Sequence, residues 1–210
     1  QSASIGLDAY KVNTDALRVL QLLMLLETDY MASMPRHSPG LTAPQTTYHP
    51  DYPHYPEKVK QRLEAAGKLK HETVVELFAG KGLLAKDVYS KISKKRHVMV
   101  DNDAALLREA EASIGKSALY FNESWESFAE KIPGDTTLID VDPYGSCGKI
   151  LQGLFEKWRP KRPTVLMVTD GMIVDMRNEP YWKDHYLASY EKDDFPAVLD
   201  RLLDKLGGRY

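Results

Sequence analysis

Two short stretches of the chain combine carboxylates with residues that let the backbone turn sharply. The first runs from Glu76 to Gly82 (Glu-Leu-Phe-Ala-Gly-Lys-Gly), and the second runs from Asp140 to Gly145 (Asp-Val-Asp-Pro-Tyr-Gly). Glycine adopts turn conformations at little steric cost and lets a ligand approach the backbone closely. A carboxylate beside such a turn attracts a positively charged ligand and repels a phosphate. Both stretches are therefore candidate binding or catalytic segments.

The glycine spacing by itself leaves two kinds of ligand open. Gly80-x-Gly82-x-x-Ala85 satisfies the dinucleotide-binding pattern, and Asp101 follows it at about the distance of 20 residues that this pattern expects. A nicotinamide enzyme is thus one interpretation. Glu76 argues against it, because a carboxylate just before the glycines would repel a pyrophosphate. S-adenosylmethionine carries an ammonium and a sulfonium and no phosphate, so it fits this charge better.

These segments lie in a regular alternation of short apolar runs and amphipathic stretches. Strands are predicted over 73–78, 97–100, 118–121, 137–141 and 164–169. Helices are predicted over 57–66, 83–92, 103–113, 125–131, 149–158 and 196–206. Alternating strands and helices imply βαβ crossovers. The fold class is therefore α/β, with a doubly wound and mostly parallel sheet.

The chain divides into an N-terminal segment, 1–56, and a domain over 57–210. Apolar residues at helical spacing predict one helix over 14–34, and the six prolines between residues 35 and 56 predict a loop or arm after it. The tyrosines and histidines of this arm either line a substrate pocket or pack on the domain. His37, His49 and His54 lack the spacing of metal ligands, so no metal is expected.

Composition limits the partners and the compartment. The net charge is −2, so a nucleic acid would have to be held by local basic patches, for which 94–96 and 157–162 are candidates. For charge runs of this kind, solvated helix ends or loops are the better explanation. No apolar run approaches the roughly 20 residues of a membrane span. Cys147 is the only cysteine, which excludes an internal disulfide and fits a reducing cytoplasm.

In order and spacing, these motifs resemble those of class I S-adenosylmethionine-dependent methyltransferases, which have a Rossmann-like fold. The segment Glu76–Gly82 resembles the first motif of that family. Asp101 matches its ribose-binding acid, Asn122 and Glu123 fall where it contacts adenine, and Asp142-Pro143-Tyr144 resembles its fourth motif in amine-methylating members. The resemblance implies S-adenosylmethionine as cofactor, bound by Glu76, Phe78, Gly80, Gly82, Asp101, Asn102, Asn122, Glu123 and Asp140. The usual fold ends in an antiparallel hairpin, for which few residues remain here.

One segment is similar to a narrower family, the tRNA guanine-N2 dimethyltransferases. The similarity covers Asp140 to Ser146 and the later Val168-Thr169-Asp170. Cys147 stands where that family has proline, Tyr144 stands where it has phenylalanine, and the family's C-terminal domain has no counterpart in this sequence. We expect Cys147 to be a packed thiol, since a nucleophilic cysteine would directly follow the proline.

The resemblance assigns catalytic roles to Asp142, Pro143 and Tyr144. The Asp142 carboxylate and the Pro143 carbonyl would accept N–H groups of an exocyclic amine, and Tyr144 would stack on the base. The expected function is methyl transfer to an amine, with a nucleic-acid base favoured and RNA ahead of DNA. The alternatives are a small-molecule or protein acceptor, and a non-catalytic binding scaffold. Asp142 could also cap the following helix, and Glu76 could pair with a buried lysine or arginine.

Overall fold

A computed structural model describes residues 55–67 and 69–169 of the 210-residue chain, together with Asp184, Tyr186, Arg201, Leu202, Asp204 and Lys205. Three of the expectations above concern residues outside these ranges: the helix over 14–34, the proline-rich arm up to residue 54, and the small number of residues left to form a final hairpin. The N-terminal segment over 1–56 is therefore represented by its last two residues alone.

The described residues form one sheet of five parallel strands in the order β3-β2-β1-β4-β5. The strands are β1 (His71–Leu77), β2 (Lys94–Asp101), β3 (Leu119–Asn122), β4 (Thr136–Val141) and β5 (Val165–Val168). The helices are α1 (Tyr55–Ala66), α2 (Leu83–Asp87), α3 (Ala104–Ile114), α4 (Trp125–Phe128) and α5 (Gly148–Lys157), with short 3₁₀ helices over Tyr89–Lys91, Gly115–Ser117 and Ala129–Lys131. The predicted fold class is confirmed, and the strand order reverses between β1 and β4.

Helices cover both faces of the sheet, which explains why the central strands carry nearly continuous apolar runs. On one face, Val75 and Ile139 join a core that includes Phe128 of α4 and Leu151 of α5. On the other face, the core formed by Val74, Leu138 and Met167 packs against α1 and α2. Because side chains alternate along a strand, the polar residues Glu76 and Asp140 belong to this second face.

Local sequence explains where the longer helices begin. Asp103 caps α3, because its side chain accepts hydrogen bonds from the backbone N–H groups of Ala105 and Leu106. Helix α5 begins after Cys147, and the Ser146 hydroxyl accepts a hydrogen bond from the Gly148 N–H at 3.2 Å. Among the described residues, every helix is too short or too polar to cross a bilayer.

Candidate functional site

A cleft opens at the carboxyl ends of β1 and β4, where the strand order reverses. Open α/β sheets bind their ligands at this position, because the connections on either side of it diverge to opposite faces. The cleft is lined by residues of α1, of the β1 strand end with the following turn, and of β4: Tyr55, Lys58, Glu76, Leu77, Phe78, Ala79, Lys81, Leu83, Leu84, Asp140 and Asp142. Four of the residues singled out from sequence, Glu76, Phe78, Asp140 and Asp142, therefore meet at one place.

The glycine turn between β1 and α2 uses its backbone N–H groups inside the protein. The N–H of Ala79 donates to the Val100 carbonyl at 3.0 Å, and the N–H of Gly82 donates to the Ala79 carbonyl at 3.0 Å. The N–H of Gly80 donates to the Asp101 carboxylate at 2.8 Å. In a dinucleotide site such groups point at the pyrophosphate. These three are already paired, so they are not presented to a phosphate.

Backbone conformation explains the residue types in this turn. Phe78, Gly80 and Gly82 all have positive φ, at 66°, 53° and 76°. For phenylalanine this conformation is strained, by roughly 1–3 kcal/mol, and such strain concentrates at ligand sites. A Cβ on Gly82 would lie 3.1 Å from the side chains of both Ala110 and Met99. Gly82 thus lets the turn pack closely on α3 and β2.

Glu76 lies at the cleft wall but is largely buried, with 3% of its surface exposed. Its Oε1 lies 2.5 Å from Nε2 of His97, which is buried on the neighbouring strand β2. Burial raises the pKa of Glu76, and the hydrogen bond from His97 opposes that rise. The partner is therefore a histidine, and the alternative in which Glu76 pairs with a buried lysine or arginine is wrong.

Asp140 is held by a buried ion pair. The guanidinium of Arg62 on α1 donates to its two oxygens, from Nε at 2.8 Å and from Nη2 at 3.1 Å, and the Tyr89 hydroxyl lies 2.5 Å from Oδ2. Arg62 also donates to the Thr169 hydroxyl at 2.7 Å. Burial and the Asp140 charge raise the pKa of Tyr89, so its hydroxyl stays a donor. Much of the hydrogen-bonding capacity of Asp140 is satisfied within the protein.

Asp142 is more open and binds a lysine. The Lys58 ammonium, also on α1, lies 2.6 Å and 2.8 Å from its two carboxylate oxygens. Burial works to raise the pKa of Asp142, but the positive charges of Lys58 and Arg62 outweigh it and hold the pKa below its ordinary value. The alternative in which Asp142 caps the next helix is wrong, because α5 begins only at Gly148.

The residues after Asp142 present an aromatic ring to solvent. Pro143 is buried, Tyr144 is 58% exposed, and Gly145 has a φ of 126°. Cys147 is fully buried against the α5 core, as expected for a packed thiol. Tyr144 is thus the residue of this motif that is free to cover a flat ligand.

The ends of β2 and β3 lie next to each other in the sheet. The Asp101 carboxylate accepts hydrogen bonds from the N–H groups of Gly80 and Asp103, both at 2.8 Å. Asn122 is exposed and donates from its side chain to the Asp101 carbonyl at 3.0 Å, and Asn102 is exposed beside it. Asp101 therefore links the glycine turn to the second strand end.

Glu123 is occupied by its own following helical segment. Its carboxylate accepts hydrogen bonds from the Ser127 hydroxyl, at 3.0 Å, and from the Lys131 ammonium. These contacts lower the pKa of Glu123. The structure does not place Glu123 among the residues lining the cleft.

Two cleft residues, Tyr55 and Lys58, and the buried Arg62 beside them were missed because they belong to α1. Tyr55, Lys58 and Arg62 follow one another at intervals of three and four residues, which puts them on one helix face. That face carries two positive charges toward Asp140 and Asp142. The spacing was visible in the sequence, but it resembled an ordinary charged surface of a helix.

Both candidate basic patches lie at the opposite edge of the sheet. Residues 94–96 begin β2, and residues 157–162 precede the start of β5. Lys95 and Arg96 pair with Glu72 and Asp135, respectively. Because all the strands are parallel, these patches are at their amino ends, whereas the cleft is at their carboxyl ends. Within the residues that the structure describes, no group of three or more His, Cys, Asp and Glu side chains is placed to hold a metal ion.

No protein-family model and no curated protein sequence matches the chain. Among solved structures, the N-methyltransferase NodS from Bradyrhizobium japonicum WM9 is 12% identical, and the match covers 72% of this chain and 83% of NodS with a TM-score of 0.48. The plantazolicin methyltransferase BamL, solved in complex with a triazolic desmethylPZN analog and SAH, is 13% identical over 97% of this chain and 68% of BamL, with a TM-score of 0.45. A candidate methyltransferase from Escherichia coli, yhhF, is 19% identical over 46% of this chain, with a TM-score of 0.39.

The chain spans 56% of the length of yhhF. These solved structures are methyltransferases by description, at low identity and with partial coverage. No assignment for this chain follows from them.

Proposed function

We propose that the chain binds S-adenosylmethionine and transfers its methyl group to an amine. The observation that carries this proposal is the glycine turn, in which the N–H groups of Ala79, Gly80 and Gly82 are paired internally while Glu76 lies at the adjacent cleft wall. A turn of this kind does not favour a phosphate, and it suits a ligand with an ammonium and a sulfonium. This argues against the dinucleotide alternative.

The cleft residues fit the two charges of an amino-acid tail. Glu76 supplies negative charge, while Lys58 and Lys81 supply positive charge at the same wall. Asp101 and Asn122, at the neighbouring strand ends, would hold the nucleoside. The cofactor supplies a methyl group already activated at sulfur. The protein therefore has to orient an acceptor nitrogen and exclude water.

The acceptor would lie beside Asp142 and Tyr144. The Asp142 carboxylate and the Pro143 carbonyl would accept hydrogen bonds from the reacting nitrogen, which becomes more positive in the transition state. The exposed ring of Tyr144 supports a planar acceptor such as a nucleic-acid base, because aromatic rings stack on bases. A base within a duplex would first be flipped out.

A second acceptor class is an amine of a small molecule or of a protein side chain. The position of the basic patches favours it, since both lie at the edge of the sheet away from the cleft. A nucleic acid reaching Asp142 would meet Lys58 and Lys81 there, and both already have acidic partners. Tyr144 is compatible with either class.

Isothermal titration with S-adenosylmethionine and with NAD tests the cofactor assignment. We expect the adenosyl ligand alone to bind, and Glu76→Gln to weaken it by about tenfold, the effect of roughly 1.4 kcal/mol of lost charge attraction. Lys95→Gln, an exposed change at the opposite edge, is the matched control. Binding of NAD alone, or equal affinity in wild type and Glu76→Gln, would contradict the assignment.

Incorporation of labelled methyl groups separates the acceptors. Transfer RNA, DNA and a pool of small amines are each incubated with the protein, and Asp142→Asn is assayed beside it. We expect label in one pool and its loss in the variant. Adenosyl binding without transfer to any pool would favour a non-catalytic scaffold.

A further inference from the structure

The Asp142 carboxylate already binds a primary ammonium group. Lys58 donates to both of its oxygens, at 2.6 Å and 2.8 Å, and both side chains line the cleft. The side chains are 17% and 22% exposed, so water reaches the pair. The pair shows which chemical group fits this carboxylate: a compact head with several N–H donors on a flexible alkyl stem.

The neighbouring ion pair, between Arg62 of α1 and Asp140, is much more deeply buried than the pair between Lys58 and Asp142. Arg62 and Asp140 are 1% and 2% exposed, and Arg62 makes further contact with Thr169. A buried pair with several hydrogen bonds opens only at high cost, whereas a pair that water reaches opens at a lower cost, because water partly screens the charges and solvates them once they separate. The Arg62 guanidinium, 3.9 Å from Asp142, stays near this carboxylate when Lys58 leaves. Arg62 can therefore hold α1 in place while Lys58, one turn away, leaves Asp142.

We propose that Asp142 is a subsite for a primary alkylammonium group, and that Lys58 occupies it as a displaceable internal ligand. The proposal rests on the proposed function and names its acceptor class: a primary alkylamine, such as a lysine side chain or a diamine. The incoming ammonium takes the two hydrogen bonds that Lys58 gives up. To accept a methyl group it must first release one proton to solvent, and its nitrogen lone pair then displaces the sulfur of the donor as a neutral thioether. Lys58 then turns toward solvent at the mouth of the cleft.

Competition with Lys58 has a measurable consequence. If Lys58 occupies Asp142 in about nine of ten molecules, the apparent Kd of an external ligand is about tenfold weaker than its intrinsic value. Lys58→Met removes the ammonium and keeps most of the apolar stem. This variant should therefore bind an alkylammonium at least about tenfold more tightly than the wild type.

The probe is n-butylammonium, which has the stem length and head group of a lysine side chain. Its binding is followed by NMR titration without any cofactor, at constant ionic strength, in wild type and in Lys58→Met. Lys60→Met is the matched control, because Lys60 is on the same helix, is 64% exposed, and its ammonium pairs loosely with Glu57, at 3.8 Å. n-Butanol, which has the same stem and no charge, is the ligand control.

We expect n-butylammonium to bind Lys58→Met more tightly than the wild type, and to bind Lys60→Met as it binds the wild type. The double variants Lys58→Met/Asp142→Asn and Lys60→Met/Asp142→Asn should not bind it. Lys58→Gln, which also lacks the charge, should behave as Lys58→Met, and this guards against a folding defect in one variant. Unchanged or weaker binding in both Lys58 variants, or equal binding of n-butanol, overturns the proposal. Absence of S-adenosylmethionine binding refutes the proposed function instead, and it leaves this amine titration unaffected.

Discussion

Replacing Arg62 by methionine removes the guanidinium that connects α1 to two strand ends. Arg62 is almost fully buried, and it donates to Asp140 at 2.8 Å and 3.1 Å and to Thr169 at 2.7 Å. Methionine has a similar length but no N–H donor. In Arg62→Met, the Asp140 carboxylate would keep the Tyr89 hydroxyl as a partner, at 2.5 Å, and would remain away from water.

The expected loss is large because it leaves a charge buried without its partner. Removing one member of a buried ion pair costs roughly 3–5 kcal/mol. A domain of this size has a total stability of about 5–15 kcal/mol. Since each kcal/mol shifts the Tm by about 2–4 °C at this length, the Tm of Arg62→Met should fall by roughly 6–20 °C.

Thermal and urea unfolding of four proteins test this expectation. Lys60→Met, on the exposed side of the same helix, should change the unfolding free energy by less than about 0.5 kcal/mol. The double variant Arg62→Met/Asp140→Leu should recover much of the loss, because it removes the isolated charge as well. Two results would refute the reasoning: an unfolding free energy of Arg62→Met within about 1 kcal/mol of the wild-type value, or a double variant that is no more stable than Arg62→Met.

Two further predictions concern the turn and the buried acid beside it. Gly82→Ala should destabilise the protein by more than Gly134→Ala in urea unfolding, because Gly82 has a φ of 76° and a Cβ there would lie 3.1 Å from Ala110 and Met99, whereas a Cβ at Gly134 makes only ordinary contact with Lys161 at 3.5 Å. Equal losses in the two variants would contradict the close packing at Gly82. Burial raises the pKa of Glu76, so the native state binds the carboxyl proton of Glu76 more tightly than the unfolded chain does. The contribution of Glu76 to the free energy of unfolding should therefore be lost as pH rises above about 4.5. Glu76→Gln, which can still accept a hydrogen bond from His97, should lack this part of the pH dependence, and parallel stability curves for the two proteins would contradict the assignment.

The strands, and their alternation with helices, follow from the pattern of apolar runs along the chain. All five strands were predicted, because parallel strands buried on both faces require apolar runs that end in turn residues. The first and last residues of these elements were predicted less well, because hydrogen bonding between strands continues beyond the apolar runs. β2 begins at Lys94, which pairs with His71 of β1, and the predicted helix over 83–92 ends at Asp87 and continues as a 3₁₀ turn. Neither the start of β2 nor the end of this helix is marked by a change in the pattern of apolar residues.

Which charges meet in the cleft depends on how distant parts of the chain pack against each other. Sequence identified Glu76, Asp140 and Asp142 from the turns beside them, but it gave none of their partners. Lys58 lies 84 residues from Asp142 along the chain, and Arg62 lies 78 residues from Asp140. A charged helix face is compatible with solvent or with a partner anywhere in the fold. Which of these it meets depends on the angle at which α1 packs on the sheet, and that angle is set by the whole apolar surface rather than by the charged residues themselves.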